Sequence, residues 1–313
     1  MNLWRSESQQ GIITVNASPD IFVGLLRDDP EAQESQEGEP SIGGSPYNER
    51  EESPMASIPD YLNNEPSPCR LLAWDSEFFQ KRIARVTPQR VTEELVQDFR
   101  KWCEENFIDC LYLLATANDP KTIRLLEQGG FQFVDIRTTL ETTIGNPPPL
   151  AAEFRVREAR LDDTPALRAI AGVSHLDSRF YNDGHFPEER CRALYETWIV
   201  KSLNGWAQAV LVAELADEPV GYITCHLSPG VAEIGLFGVS DKAQGKGFGS
   251  QLIWQSLRWF KRQGVTDVTV VTQGRNVRAQ RVYQKSGFII RSIQFWYHYW
   301  PSGAPLIVSD IIP

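Results

Sequence analysis

The sequence is poor in several things, and each shortage excludes a class of protein. No segment approaches the roughly 20 apolar residues needed to span a bilayer, and "MNLWRSESQQ" lacks the basic start and apolar run of a secretory signal, so a soluble, cytoplasmic protein without a membrane partner is expected. Cysteine is scarce: Cys69, Cys103, Cys110, Cys191 and Cys225 are an odd number with no C-x-x-C spacing. That pattern argues against a disulfide framework and against a zinc site, and the five are expected to be buried reduced thiols. Only four histidines occur, His175, His185, His226 and His298, scattered along the chain, so no metal centre is expected. Basic residues are in deficit overall, with 31 Lys and Arg against 41 Asp and Glu. The deficit is local: residues 1–66 contain no lysine, 3 arginines and 13 acidic residues, which accounts for the whole net charge of −10. The remainder is balanced and offers no basic stripe for nucleic acid.

The acidic stretch 1–66 is interrupted by Pro and Ser and has too little apolar surface to offset its chain entropy, so most of it is expected to be disordered. One apolar patch inside it, "GIITVNASPDIFVGLL", is suited to docking on a surface that the sequence does not identify.

What is present is a glycine-rich loop, "FGVSDKAQGKGFGSQLIW", between an apolar run and an amphipathic one. Such a turn exposes backbone N–H groups at a helix N-terminus and suits a phosphate-bearing ligand, although an ordinary strand-to-helix turn has the same look. The Walker pattern fails because Lys246 is followed by Gly247, and the dinucleotide pattern fails for want of a third glycine. Further on, Asn276, Ala279 and Tyr283 fall at i, i+3 and i+7 on one helix face. Taken singly they read equally well as a cap, a helix former and a packing residue.

The chain also repeats itself. The order strand, short helix, Gly-Phe, strand occurs in "DCLYLLATANDPKTIRLLEQGGFQFVDIRTTLE" and again in "VTDVTVVTQGRNVRAQRVYQKSGFIIRSIQFWYHYW". Gly130-Phe131 aligns with Gly287-Phe288 at an offset of 157, which pairs Leu126 with Tyr283 and Thr122 with Ala279. The first copy lacks the glycine loop and the tyrosine, so chemistry belongs to the second. A Pro-rich boundary, "ETTIGNPPPLAAE", separates them. The expected organisation is an acidic tail over 1–66, a degenerate unit over 67–148, a catalytic unit over 153–304 and a short tail over 305–313. "CRLLAWDSEFFQKRIARV" reads as apolar strands, and "LDDTPALRAIAGV" as a helix capped near Asp162.

Gln244-Gly245-Lys246-Gly247-Phe248-Gly249 fits [Q/R]-x-x-G-x-[G/A], and Asn276 to Phe288 fits N-x-x-A-x-x-x-Y-x-x-x-G-F. In that order and spacing the two motifs resemble the GNAT superfamily of N-acetyltransferases. The resemblance implies an α/β fold with a mixed central sheet and helices on both faces, here preceded by a degenerate, partial GNAT-like unit. It implies acetyl-CoA as cosubstrate and no metal. The pantetheine arm would pair along Leu236, Phe237, Gly238 and Val239, the pyrophosphate would meet the amides of Gln244, Gly245, Lys246, Gly247, Phe248, Gly249 and Ser250, and Asn276 would contact the arm. Tyr283 resembles the general acid that protonates the leaving thiolate. Glu233 stands where the family often places a base, and His226 is a weaker candidate; a water relay is equally compatible.

Within the superfamily, residues 67–304 resemble enzymes of bacterial surface-polysaccharide synthesis that acetylate the 4-amine of a nucleotide-linked 4-amino-4,6-dideoxy sugar. In "SRFYNDGHF" the residues Arg179, Tyr181, His185 and Phe186 are candidate contacts for that substrate, or else a packing loop. A small-molecule amine is therefore the expected partner, and a homodimer is compatible with the resemblance. Acetylation of a peptide or polyamine, or a non-catalytic acyl-CoA-binding module, would keep the same cofactor motifs; retention of Tyr283 argues against the last.

Overall fold

The structure, a computed structural model, describes residues 13–15 as a backbone strand and residues 67–88, 90–228 and 231–301. The remainder of the stretch 1–66 and the tail 305–313 lie outside the described residues.

The first unit opens with β2 (Cys69–Leu71), helix α1 (Ala73–Phe79) and β3 (Ile83–Val86). The expectation of continuous strands here is corrected: "AWDSEFF" is helical. Its apolar residues Trp74, Phe78 and Phe79 also fit helical spacing, and Ser76 fixes the choice. The Ser76 hydroxyl donates to the Leu72 carbonyl at 2.7 Å and accepts the Ile83 N–H at 2.9 Å, tying the helix to the strand that follows. Helix α2 (Glu93–Glu105), β4 (Cys110–Thr116), helix α3 (Pro120–Gln128) and β5 (Gln132–Thr143) complete the unit.

The second unit begins with β6 (Arg155–Glu158) and a 3₁₀ turn over Leu161–Asp163, then α4 (Thr164–Ser174), α5 (Arg179–Asp183) and α6 (Glu188–Lys201). Asp163, not Asp162, does the local capping: its carboxylate accepts the Arg160 N–H at 2.7 Å. Strands β7 (Ala209–Leu215), β8 (Glu218–Ser228) and β9 (Val231–Val239) form an antiparallel meander. Helix α7 (Phe248–Arg262), β10 (Asp267–Gln273), helix α8 (Val277–Lys285) and β11 (Ile289–Tyr299) follow.

All of these strands join one mixed sheet in the order β2-β3-β4-β11-β5-β10-β9-β8-β7-β6, while β1 (Ile13–Val15) pairs separately with β9. The repeat is visible in it. Adding 157 to the bounds of β4 and α3 gives the bounds of β10 and α8. The closing strand of each unit is inserted in the other: β11 lies between β4 and β5, and β5 lies between β11 and β10. All three contacts are antiparallel, and the sheet is continuous across the Pro-rich boundary. Gly130 and Gly287 end their helices with φ of +80° and +94°, a conformation a Cβ would disfavour, and each turns the chain so that the following phenylalanine is buried.

Three apolar clusters follow from this arrangement. One lies under α2 and α3 and includes Phe99, Leu126 and Phe131; its counterpart under α7 and α8 includes Phe260, Tyr283 and Phe288. The third lies on the opposite face, where α4, α5 and α6 cover Tyr112, Leu236 and Trp296 from both units. Among the described residues no helix is long and apolar enough to cross a membrane.

Candidate active site

Strands β9 and β10 are parallel but pair at only two positions, Thr269 with Glu233 and Val270 with Ile234. Beyond these the strands part, leaving the β9 edge from Leu236 to Val239 unpaired with β10. An extended chain fits this edge: Ile13, Thr14 and Val15 of β1 run antiparallel to Val239, Gly238 and Phe237. Leu236 differs from its three neighbours in the motif. Its N–H donates to the Thr224 hydroxyl at 2.7 Å, inside the sheet. The bulge that permits this sits at Gly235, where a Cβ would strike the His226 ring and come within 2.7 Å of Thr224 Oγ1.

The glycine loop leads from this edge into α7. Gly245 and Gly247 have φ of +73° and +92°, and Gly247 stands at the N-cap of the 15-residue helix. Nothing lies within 4 Å of where a Gly245 Cβ would stand, so the backbone there is open to a ligand. Gly247 and Gly249 serve packing as well, since a Cβ at each would meet Phe154 at 3.1 Å and Phe237 at 3.2 Å. Lys246 is exposed, Phe248 is buried edge-on against Phe154, and Ser250 is half-buried in the first turn. Gln244 braces the loop, donating to Asp241 at 2.8 Å and accepting from Arg278 of α8 at 3.2 Å. Open N–H groups at a helix start, beside an unpaired strand edge, fit a pyrophosphate carrying an extended arm.

Asn276 caps α8, its side-chain oxygen accepting the Ala279 N–H at 3.0 Å. One face further along the helix, Tyr283 is fully buried, and its hydroxyl has no hydrogen-bond partner among the described residues. Burial holds the phenol well above its ordinary pKa, so it carries its proton at neutral pH. A buried hydroxyl left without a partner is unfavourable by about 1–3 kcal/mol, and a bound group that accepts from it removes that penalty.

On the other face, Glu233 of β9 is 5 % exposed and its Oε1 has no hydrogen-bond partner among the described residues. Burial pushes its carboxyl up to about 8, with Arg137 pulling the other way. His226, opposite Glu233 on β8, is brought down to about 4 by burial, so it is neutral at pH 7. Its Nε2 lies 3.0 Å from the Thr224 hydroxyl, which also accepts from the Leu236 N–H. Between the two, Glu233 has the affinity for a proton that base chemistry near neutrality requires.

The "SRFYNDGHF" segment is the short helix α5 and its turn, and it enters the seam between the units. Arg179 is 4 % exposed, with its guanidinium 4.2 Å from the Tyr112 ring centre and 4.1 Å from that of Trp296. His185 is buried, contacts Asp183 at 2.6 Å and stacks on Trp300, and Phe186 is part of the core. Tyr181 is half-buried. Arg179, His185 and Phe186 are thus enclosed by packing, and the sequence did not mark the residues that surround them. Asp183 meets His185, two residues on, and His298, 115 positions away. Arg137, Thr224, Gly235 and Arg278 are further contributors that no motif singled out. Among the described residues, no group of three or more His, Cys, Asp or Glu could hold a metal ion.

A parted strand pair opening on a glycine loop, with a buried tyrosine on one side and a buried carboxyl on the other, has the parts that an acyl-CoA-dependent transferase needs. Residues 171–288 match the model of the Acetyltransferase (GNAT) family, and the chain carries an N-acetyltransferase domain of that family. It is 27 % identical over 234 residues to dTDP-fucosamine acetyltransferase of Escherichia coli O6:H1, covering 72 % of this chain and 96 % of that one. It is 24 % identical over 238 residues to the spore coat polysaccharide biosynthesis protein SpsD of Bacillus subtilis, covering 73 % and 81 %. A solved GCN5-related N-acetyltransferase from Sphaerobacter thermophilus superimposes with a TM-score of 0.52 at 18 % identity, covering 74 % of this chain and 76 % of that one, which shows the fold.

Proposed function

We propose that the protein transfers the acetyl group of acetyl-CoA to the amine of a nucleotide-linked amino sugar. The observation that carries this reading is the extent of the sequence likeness. The match to dTDP-fucosamine acetyltransferase runs over 234 residues, whereas the unit 153–304 holds only 152, so the likeness must include the first repeat as well as the catalytic one.

Acetyl-CoA supplies an activated acyl group, and the chain's own residues handle two protons. Glu233, half ionised near pH 8, accepts a proton from the attacking amine. Tyr283, protonated and without another partner, donates to the departing sulfur. The β9 edge and the α7 N-terminus hold the arm and the pyrophosphate so that attack occurs between these two groups. Because Glu233 must be ionised to act, kcat/KM rises with pH and levels off above about 8.

Incubation of the protein and acetyl-CoA with parallel panels of nucleotide-linked amino sugars, free amino sugars, polyamines and peptides tests the proposal by mass spectrometry. A gain of one acetyl mass confined to nucleotide-linked amino sugars is the expected result. Turnover of a polyamine or peptide with none on the sugars would overturn it.

A further inference from the structure

Strand β5 lies inside the sheet, between β11 and β10, yet one of its faces is polar. Strand β4, equally internal, reads CLYLLA over residues 110–115 and is buried throughout that run. An internal strand with cover on both faces is expected to be apolar on both, so the row Asp135, Arg137, Thr139 and Glu141 needs a reason. The register sets Asp135 opposite Trp296 and Arg137 opposite Gln294, so the row lies on the face that α4, α5 and α6 cover. Glu233 is on that face too, because its neighbour Ile234 belongs to the apolar cluster on the other side.

Strand β10 gives the spacing. Thr139 pairs with its Val271, and Glu233 pairs from the other side with its Thr269. With strands about 4.8 Å apart and a rise of about 3.3 Å per residue, the Cα atoms of Glu233 and Thr139 stand about 12 Å apart. Arg137 is one step further along, opposite Gln273, and one end of its guanidinium is held by Gln294 Oε1 at 2.7 Å. It is near enough for Glu233 to feel its charge. On this patch Glu233 Oε1, Thr139 Oγ1 and Arg137 Nε are each buried with no hydrogen-bond partner among the described residues. Thr139 is 9 % exposed and Glu233 5 %, so water does little for either, while Arg137, Gln294 and Thr269 are half-buried and border the patch towards solvent. Buried polar groups are otherwise nearly always paired. An acceptor oxygen, a hydroxyl and an N–H donor left open on one stretch of sheet fit a molecule that carries several polar groups at fixed separations.

We propose that this face of β5 is the floor of the acceptor site, where Thr139 and Arg137 hydrogen-bond polar groups of the acceptor while Glu233 meets its amine. On the nucleotide-sugar reading above, on which this part rests, those polar groups are hydroxyls of the sugar ring; the assignment of the floor itself does not depend on that reading. A rigid ring spans the gap between β5 and β9 and holds its amine towards the base. Thr139 and Arg137 belong to the first repeat, which gives that repeat a part in choosing the acceptor although it carries no cofactor loop.

The test uses the full chain and the amine that turns over in the assay above, with KM measured separately for acceptor and acetyl-CoA. Thr139→Val exchanges the hydroxyl for a methyl group of similar size. It should raise the acceptor KM about 2- to 10-fold, the range for one lost neutral hydrogen bond, and leave the acetyl-CoA KM at the parental value; Thr139→Ser should recover the acceptor KM. Because the hydroxyl has no partner among the described residues, the Tm of Thr139→Val should equal or exceed the parent's. Among acceptor analogues that each lack one hydroxyl, one should be used equally well by the parent and by Thr139→Val, as expected when both partners of one bond are removed. Arg137→Gln should raise the acceptor KM about 10- to 100-fold, with Arg137→Lys between, and kcat is compared only for Thr139→Val because Arg137 also bears on Glu233. A lower Tm in Thr139→Val would show that the fold itself uses the hydroxyl and would overturn the proposal before any substrate is added, as would a parental acceptor KM in both Thr139→Val and Arg137→Gln. If the amine that turns over is a polyamine or a peptide and Thr139→Val still raises its KM, the floor stands and the nucleotide-sugar reading falls.

Discussion

The two repeats share their elements and differ in what those elements are for. Asp119 and Asn276 cap equivalent helices, each side chain accepting the N–H three residues on. Four residues before the Gly-Phe turn of each copy the first has Leu126 and the second Tyr283, both fully buried. At the next pair the copies part in a telling way. Thr122 fills its position with a hydroxyl that accepts the Val91 N–H at 3.0 Å, so the loop before α2 closes onto α3. Ala279 leaves that space, and the loop before α7 carries left-handed glycines instead. Strands β3 and β4 stay paired from Ile83 to Arg85, one residue short of the end of β3, whereas β9 runs five residues beyond its last pair with β10. One copy has closed this edge by side-chain hydrogen bonding, and the other leaves it parted from β10 and open to an extended segment such as β1.

The sharpest way to break the comparison is to separate the repeats. Residues 153–304 alone would lack β5, which pairs with both β10 and β11, and would expose two long strand edges. Expressed by itself this piece should be insoluble or lack cooperative thermal unfolding, while residues 67–304 fold. A soluble, cooperatively unfolding 153–304 would show that the interleaved strands are dispensable.

Next comes the Leu126 and Tyr283 pair. Tyr283→Phe keeps the ring and removes a hydroxyl that has no partner among the described residues, so stability and acetyl-CoA affinity should hold while kcat falls about 10²- to 10⁴-fold. Leu126→Tyr in the same background should restore nothing, because the first copy has no open edge. Single-turnover rates with acetyl-CoA saturating measure both, and a parental rate in Tyr283→Phe would make the tyrosine a packing residue.

Glu233 has no acidic counterpart in the comparison and should show a smaller effect, about 10²-fold in kcat/KM for Glu233→Gln, at the lower end for a general base because water can also take the proton. The rise of kcat/KM towards pH 8 should flatten. Stability supplies an independent reading. The folded chain holds the Glu233 proton up to about 8 while the unfolded chain releases it near 4.5, so this contribution is intact below 4.5 and is lost as pH rises to about 8. Glu233→Gln removes that loss, and its Tm should exceed the parent's at pH 9 by more than at pH 5.

The features legible in the sequence were those written in local spacing: the glycine loop, the helix carrying Asn276 and Tyr283, the repeat offset and the mixed sheet. What was hidden depends on strand order. Nothing local indicates that β11 enters the first unit, so neither the pairing of Arg137 with Gln294 nor the burial of Arg179 against Tyr112 and Trp296 could be read. "AWDSEFF" misled because Trp74 and Phe78 satisfy both periodicities, and the Ser76 bonds that decide between them reach across to β3. Gly235 was missed because its small size matters only against His226 and Thr224 on the neighbouring strand.

The smallest expected effect concerns the one part of the acidic stretch that the structure describes. Ile13, Thr14 and Val15 lie along Val239, Gly238 and Phe237, the same edge proposed for the cofactor arm, and both cannot pair with it at once. Three residues form few ladder bonds, each worth about 0.5–1.5 kcal/mol net, and ordering the segment offsets most of that. Removal of residues 1–66 should therefore lower the acetyl-CoA KM only about 2- to 5-fold and leave kcat unchanged. Thr14→Pro in the full chain removes a backbone donor from the middle of the strand and should give the same fall without changing the net charge of the tail. That pairing of variants separates strand competition from the repulsion that 13 acidic residues exert on a polyanionic cofactor. If the truncated chain gains affinity and Thr14→Pro does not, the effect is electrostatic and should vanish in high salt; if neither gains, β1 does not compete for the edge.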